Sequence, residues 1–381
     1  MIPSFPDGAT IASIHAALVA MGRFRSLEAS RSRIYGMRVV PENKFGFLAE
    51  SFARNALDGA LSGGDLIERN SAFPIYASLL PAESRGLWKA AQLEGKPNAW
   101  AHYFPTALHG EVFADAPRLC PACVAADREV YDLAYWRVEH QLPSVVLCNT
   151  HGGILHDRCA DCGTPFPPGK AGRLPGTACK KCASLKSAPM PKVKDSPGAQ
   201  AHARLIARTA LAAAPELAPE IRIQLIRESF SGKDSEAIMR RLYSWWTVVS
   251  PGGLQKALGC TFSPLGLQKV VATGAGQIPF ALLVALVAFA SEEIGVDRAA
   301  RVIASVRKRE TELQRFDAAA RSSTDLVTAL RAQARWLDVP PESVEALLRN
   351  EVGLAAMQVG TLNLVSMVDR LPEQHRASIP L

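Results

Sequence analysis

The sequence predicts a mainly α-helical protein with two small metal-ribbon modules in its middle. A helical N-terminal part covers residues 1–115, the tandem ribbons 116–185, a basic Pro-rich linker 186–200, and an all-helical part with helix-turn-helix-like units 201–381. Three observations predict this. Apolar residues recur at helical spacing on both sides of the middle, where strand-like alternation is scarce. Seven of the eight cysteines fall between Cys120 and Cys182 at short, regular spacings. Pro and Gly collect between and behind those cysteines, as loops and linkers require. Hydrophobic residues make up 48% and charged residues 21% of the 381, which excludes wholesale disorder.

In the N-terminal part, Ile11, Ile14, Ala17, Leu18 and Met21 share one helical face behind a start at Thr10. Residues 23–44 are basic, with Arg23, Arg25, Arg31, Arg33, Arg38 and Lys44 against Glu28 and Glu42. Such a run equally describes a solvated helix face. Further helices are expected over 45–60, 64–70 and 82–93, with an aromatic, apolar stretch at 71–81 that breaks at Pro81.

The cysteines form pairs: Cys120-x2-Cys123, Cys148-x2-His151, Cys159-x2-Cys162 and Cys179-x2-Cys182. A turn with two intervening residues aims two ligand atoms at one point, which is half of a tetrahedral zinc site. Four half-sites make two structural zinc ions. Sequential pairing puts Cys120, Cys123, Cys148 and His151 on one ion and Cys159, Cys162, Cys179 and Cys182 on the other. A cross-brace joining the first and third pairs is the alternative. The Pro- and Gly-rich second loop suits a small ribbon folded on its own metal. The longer first loop has enough apolar residues to pack a helix and a strand over site one. His140 reads as a core or capping histidine, His156 as a solvated one, and Cys260 as a small core hydrophobe in a helix-like stretch. Disulfides would need an oxidising compartment, and a redox Cys-x2-Cys would be one pair beside a βαβ unit. Four ligands per ion leave no open position, and no His-Glu-x2-His or His-x-Glu deaminase pattern is present, so neither metal is expected to be catalytic.

The net charge is +7, from 43 Lys and Arg against 36 Asp and Glu. Residues 158–195 hold Arg158, Lys170, Arg173, Lys180, Lys181, Lys186, Lys192 and Lys194 against Asp161 and Asp195. Arg173, Lys180, Lys181, Lys186, Lys192 and Lys194 are therefore the candidate contacts to a phosphate backbone. Phe166 is the one aromatic there, which favours duplex over stacked single strands. In the C-terminal part, the helix ending at Leu258 leads through Gly259 to an N-cap at Ser263 and a first-turn Pro264. A similar unit spans 330–349 around Asp338. Either could read DNA or be a plain helical corner. The apolar run 278–290 is interrupted by Pro279 and followed by Glu292 and Glu293; it is too short to span a bilayer of ~30 Å and reads as a buried core helix. No export signal opens the chain, so a cytoplasmic protein is expected. No Gly-x4-Gly-Lys-Ser/Thr phosphate loop and no Gly-x-Ser-x-Gly elbow is present, which argues against an ATPase or a hydrolase.

Four stretches resemble the TniQ family, which includes TnsD-type proteins: Leu119-Cys-Pro-Ala-Cys-Val-Ala-Ala-Asp127, Tyr135-Trp-Arg-Val-Glu-His-Gln-Leu-Pro143, Val146-Leu-Cys-Asn-Thr-His-Gly152 and Cys159-Ala-Asp-Cys-Gly163. Ala9 to His15 is similar to the family's opening helical segment, with Ala in place of its Glu. Ser71 to Pro81 is similar to its His-Thr-Leu-x-Pro-x-Tyr stretch, with Asn70-Ser71 for His-Thr. The resemblance implies a non-catalytic targeting adaptor of a multi-component DNA transposon. Such proteins bind double-stranded attachment-site DNA or dock on an RNA-guided CRISPR effector, and they recruit an ATPase regulator that brings the transposase. Some form homodimers, and no membrane is involved. A zinc-ribbon and helix-turn-helix transcription regulator is the other reading.

Overall fold

The computed structural model describes residues 4–36, 44–96, 114–167, 172–191, 195–211, 214–274, 276 and 278–322, with side chains through Arg309 and at Thr311. Arg38, Lys170, Lys192, Lys194 and the helix-turn-helix-like stretch 330–349 lie outside the described residues. The chain divides into two compact units, Met1–Ile303 and Ala304–Leu381. The first carries both cysteine clusters. Of the second, 304–322 are described and are helical.

Helix α1 (Ile11–Ala20) starts where Thr10 accepts a hydrogen bond from the Ser13 N–H, and it buries Ile11, Ile14 and Leu18 completely. Helix α2 (Leu27–Tyr35) is capped by Ser26 and ends at Gly36, whose φ is +68°. The helix expected over 45–60 is shorter, α3 (Ala49–Ala56). Gly46 (φ +83°) and Leu48 (φ +57°) hold left-handed backbone before it, and Asp58 (φ +52°) and Gly59 (φ +74°) after it. Packing dictates the first of these: a Cβ at Gly46 would lie 2.5 Å from Ile67 Cγ1. Ile67 belongs to α4 (Gly63–Asn70), which opens with a reciprocal cap between Ser62 and Asp65. The stretch ending at Pro81 forms the short α5 (Phe73–Ala77), and α6 (Ala82–Leu93) follows. Trp88 of α6 is fully buried against Phe45 and Phe73.

Helix α7 (Pro121–Tyr131) begins inside the first cysteine pair. The remainder of the first loop contains a 3-10 turn at Glu139–Gln141 and no strand among the described residues, unlike the helix-plus-strand cover expected over site one. Strands β1 (His156–Cys159) and β2 (Ser187–Pro189) pair antiparallel, with Arg158 opposite Ala188. The stretch 186–200 therefore begins as sheet and ends as helix, because α8 (Pro197–Ala210) starts within it, capped by Ser196.

Helices α9 (Pro219–Phe230), α10 (Ser235–Trp245), α11 (Pro251–Leu258), α12 (Pro264–Thr273), α13 (Phe280–Ile294) and α14 (Val296–Ser322) complete the order. The apolar run forms α13, and every residue from Phe280 to Ala290 is buried. It packs between α8 and α9, and the Ser229 hydroxyl of α9 donates to the Ala290 carbonyl at 2.8 Å. Tyr76 of α5 stacks on Phe280 at 4.5 Å, and Arg222 of α9 donates to the Leu79 carbonyl. These contacts join the N-terminal helices to the α8–α13 bundle. No described helix is long and apolar enough to cross a membrane.

Two buried histidines serve as packed hydrogen-bond partners. His15 Nε2 meets Ser30 Oγ at 2.6 Å among Phe24, Tyr35 and Phe52. His202 Nε2 of α8 meets Ser144 Oγ at 2.9 Å, which ties the bundle to the cysteine region. Burial lowers His15 to about 4, with help from Arg31, and lowers His202 to about 3. An unfolded histidine titrates near 6.5, so between these values the unfolded chain binds more protons. The stabilisation from keeping both neutral is complete above pH ~6.5 and is lost as pH falls toward the folded values, on the order of 3 kcal/mol per group. Urea midpoints are expected to fall steeply between pH 7 and 4.5, with a shallower slope in His202→Gln. Equal slopes in the two chains would refute this role for His202.

Candidate metal centres

Three of the four ligand pairs fold into one local shape. In each, the N–H four residues after the first Cys returns to that Cys carbonyl: Gly152 to Cys148 at 2.8 Å, Gly163 to Cys159 at 3.0 Å, Ala183 to Cys179 at 2.9 Å. The N–H of the first Cys then donates five residues onward, to Gly153, Thr164 and Ser184 respectively. The residue after the second ligand is left-handed in every case, with φ of +68° at Gly152 and Gly163 and +61° at Ala183. Glycine is relaxed there and alanine is not, so Ala183→Gly is expected to raise stability by up to ~1 kcal/mol. Thermal denaturation of the metal-loaded chain checks it. The first pair differs, because Cys120 is the N-cap of α7 and Pro121 takes the first helical position.

The four pairs converge in sequential order. Cys120, Cys123, Cys148 and His151 bring their ligand atoms within 4.8 Å of one another, and so do Cys159, Cys162, Cys179 and Cys182. In the first group His151 presents Nδ1, at 3.3 Å from Cys123 Sγ and 3.6 Å from both Cys120 Sγ and Cys148 Sγ. Cys123 and Cys148 are 3.6 Å apart. In the second, Cys159–Cys182 and Cys162–Cys179 are 3.5 and 3.6 Å apart. A tetrahedral zinc with its usual bond lengths gives sulfur–sulfur edges of roughly 3.8 Å and sulfur–nitrogen edges of roughly 3.5 Å. The observed edges fit, and all eight cysteines are free thiols. Each cluster is graded in exposure, from buried Cys120 and Cys148 to exposed His151 and from buried Cys159 to exposed Cys182.

Three thiolates in the first cluster and four in the second lie close enough to repel one another, and their protonation splits. Hydrogen bonds from Cys123 and then Cys148 hold Cys120 far below the usual thiol range, and the contact with Cys120 drives Cys123 above it. In the second cluster Thr164 lowers Cys162 to about 6. A divalent cation at the centre lets all the thiols of a cluster ionise together, with His151 neutral in the first, and these donor sets fit zinc. Neither set leaves the open position that catalysis at a metal needs.

The other candidates are placed as follows. His140 is fully buried, and burial lowers its pKa. His156 is half-buried on β1, with Nδ1 2.7 Å from Ser187 Oγ on β2, in contrast to the solvated position expected; pairing of the two strands draws it in. Cys260 sits half-buried in the turn between α11 and α12, not within a helix, and burial raises its thiol to about 11. Lys180, Lys181 and Lys186 are exposed. Arg173 is half-buried and donates to the Ala178 carbonyl of its own loop.

Two groups that spacing could not flag hold the first centre in place. Arg118 is half-buried and donates to the carbonyls of Leu142, Pro143 and Val145 at 3.0, 2.9 and 2.6 Å. Asp127 of α7 is buried, accepts from the Tyr135 N–H at 3.1 Å and pairs with Arg137. The strip Tyr135–Val138 then docks on the N-terminal segment. Thr10 N–H donates to the Trp136 carbonyl, Val138 N–H to the Gly8 carbonyl, and Trp136 N–H to Ser13 Oγ. Asn70 Nδ2 donates to the Ala9 carbonyl at 2.8 Å.

The class defined by these features is a helical protein whose N-terminal helices are clamped to a four-ligand thiolate–imidazole knuckle, followed by a second, all-cysteine knuckle. Residues 7–155 match the family model TniQ, so over that span the chain is similar to TniQ proteins. No curated protein matches the chain. The matched span holds α1 to α7 and the first cluster; the second cluster and the α8–α13 bundle follow it.

Proposed function

We propose that the chain is a non-catalytic targeting adaptor of a multi-component DNA transposon. It holds two structural zinc ions, meets double-stranded target DNA directly or through an RNA-guided CRISPR effector, and recruits the ATPase regulator and transposase. The observation that carries this reading is the family match over residues 7–155, a span that holds the first closed four-ligand site. The proposed ligands are Cys120, Cys123, Cys148 and His151 for one ion and Cys159, Cys162, Cys179 and Cys182 for the other. Four-ligand sites hold a fold and leave nothing to activate water, so the adaptor does no phosphoryl chemistry. The pure chain is expected to hydrolyse no ATP and cut no DNA. Turnover abolished by a point change in this chain would overturn the reading. Affinity capture with the tagged chain should retain the ATPase regulator and transposase encoded beside it.

Contact with duplex is assigned to the cations of the second knuckle and its tail, Arg173, Lys180, Lys181, Lys186, Lys192 and Lys194. Base reading is assigned to α12. Gly259 (φ +64°) ends α11, Ser263 caps α12, and Leu265 and Lys269 both stand exposed on α12. Neutralising Lys181, Lys192 and Lys194 is expected to weaken all duplex sequences alike. The slope of log K against log salt should flatten by ~0.9 for each phosphate that a lysine no longer neutralises. Sequence preference should survive, since phosphate contacts position and base contacts specify. An unchanged slope would remove these lysines from the DNA surface. The α11–α12 unit also suits a transcription regulator. That alternative predicts sequence-specific DNA binding with no capture of transposition proteins.

A further inference from the structure

A cleft of about 260 Å³ lies between the two knuckles. Its wall includes Leu119, Val124, Trp136, Phe166, Leu174 and Leu185. Leu119, Val124, Ala134 and Trp136 form one buried cluster, and Phe166 of the second knuckle packs against it with its ring 6.0 Å from that of Trp136. The second knuckle is therefore seated on the first. At the edge, Leu185 keeps 69% of its surface exposed, which is unusual for a leucine beside an apolar cleft.

Apart from the exposed Lys180 and Lys186, most of the polar side chains of the wall are already engaged inside the protein. Trp136 Nε1 donates to the Arg173 carbonyl at 2.6 Å, Arg128 to the Gly176 carbonyl at 2.7 Å, and Arg173 to the Ala178 carbonyl. Thr177 donates to the Leu174 carbonyl and Thr164 accepts from Cys162. Ser184 accepts from the Lys186 N–H, and Ser187 meets His156. Little in the wall remains to read a base edge or a polar metabolite, and the volume is below the ~300 Å³ at which whole-ligand sites begin. It suits one large apolar side chain. The wall contains no carboxylate, while Arg128, Arg173, Lys180 and Lys186 contribute four positive charges. A loaded four-thiolate site keeps about two negative charges, so the mouth stays positive.

We propose that this cleft is a docking site for an acidic segment of a partner protein that inserts one aromatic or aliphatic side chain against Trp136, Phe166 and Leu185, with flanking carboxylates on Lys180 and Lys186. On this proposal Lys180 and Lys186 leave the set of duplex contacts proposed above, which then rests on Lys181, Lys192 and Lys194, the lysines that the salt test neutralises. It rests on the adaptor reading only for the identity of the partner.

The test uses the full metal-loaded chain and a short fluorescent peptide with a central Phe between runs of Asp and Glu. Binding is expected, with a shift of the Trp136 indole N–H resonance in a ¹⁵N spectrum, assigned through Trp136→Phe. Leu185→Asp and, separately, Lys180→Glu with Lys186→Glu should each weaken binding roughly tenfold or more. Lys181→Glu, which lies outside the cleft, should change it little. Metal content measured in every variant shows that the knuckle is intact, and the lysine pair keeps the test decisive if Leu185→Asp loses metal. No binding, equal binding of a peptide with Ala for Phe, or equal loss in Lys181→Glu would overturn the proposal. So would duplex DNA that competes fully with the peptide and is itself insensitive to Leu185→Asp, since the surface would then be a DNA track. None of these outcomes touches the capture of transposition proteins, which tests the adaptor reading separately.

Discussion

Chelation of the metal-loaded chain is expected to release two zinc equivalents and to unfold the middle of the molecule, with unequal consequences for the two sites. Structural zinc in small fingers contributes about 10–16 kcal/mol of apparent binding free energy, as much as or more than the ~5–15 kcal/mol that keeps a whole domain folded. Loss of the first ion should therefore spread. Cys120 and Cys148 are buried, and the loop they close carries Trp136, whose backbone holds Thr10 and Ser13. Cys148→Ser should bind one equivalent and lower the melting temperature of the N-terminal helices too. Cys182→Ser should also bind one equivalent, but Cys182 is exposed on a two-stranded ribbon, so the loss should stay local. Metal analysis with thermal melting checks both. A single equivalent in the unaltered chain, or equal melting losses in the two variants, would contradict this account.

Replacing Asp127 by Ala is expected to destabilise the chain by about 3–5 kcal/mol, the usual cost of removing one partner of a buried ion pair. The side chain of Asp127 is 2% exposed and that of Arg137 is 21% exposed. The carboxylate also accepts the Tyr135 N–H, so its removal leaves a buried donor and a partly buried cation unmatched. Asp127→Asn keeps an acceptor for Tyr135 and should cost less. Arg137→Ala leaves the carboxylate buried and should cost nearly as much as Asp127→Ala. Chemical denaturation of the metal-loaded proteins orders the three. An Asp127→Ala chain as stable as the unaltered one would mean that water replaces the pair.

The ends of several elements were legible because they are local chemistry. Thr10 and Ser263 cap helices because their side chains accept from N–H groups three residues on. The x2 spacing of the ligand pairs is likewise local, since a four-residue turn decides where two ligand atoms point. The run 278–290 announced α13 through length and apolarity alone. The helix over 45–60 was misjudged because Gly46 and Leu48 are left-handed, in the case of Gly46 for a tertiary reason, the approach of Ile67. Strand β2 was not legible because it is three residues long and is strand only by virtue of its pairing with β1, far earlier in the chain.

By itself the sequence determined the helical character of the chain, four ligand pairs, the resemblance to TniQ proteins and the basic balance of residues 158–195. Those properties depend on neighbours a few positions apart, which composition and spacing record. Only the tertiary structure decided which pairs share a centre, which histidines are buried, that Asp127 and Arg118 brace the first site, and that Phe166 seats the second knuckle on Trp136 beside a cleft. The physical reason is separation along the chain. Phe166 lies far from Trp136 in sequence, as His151 does from Cys120, and nothing in local propensity says which distant side chains will exclude water together.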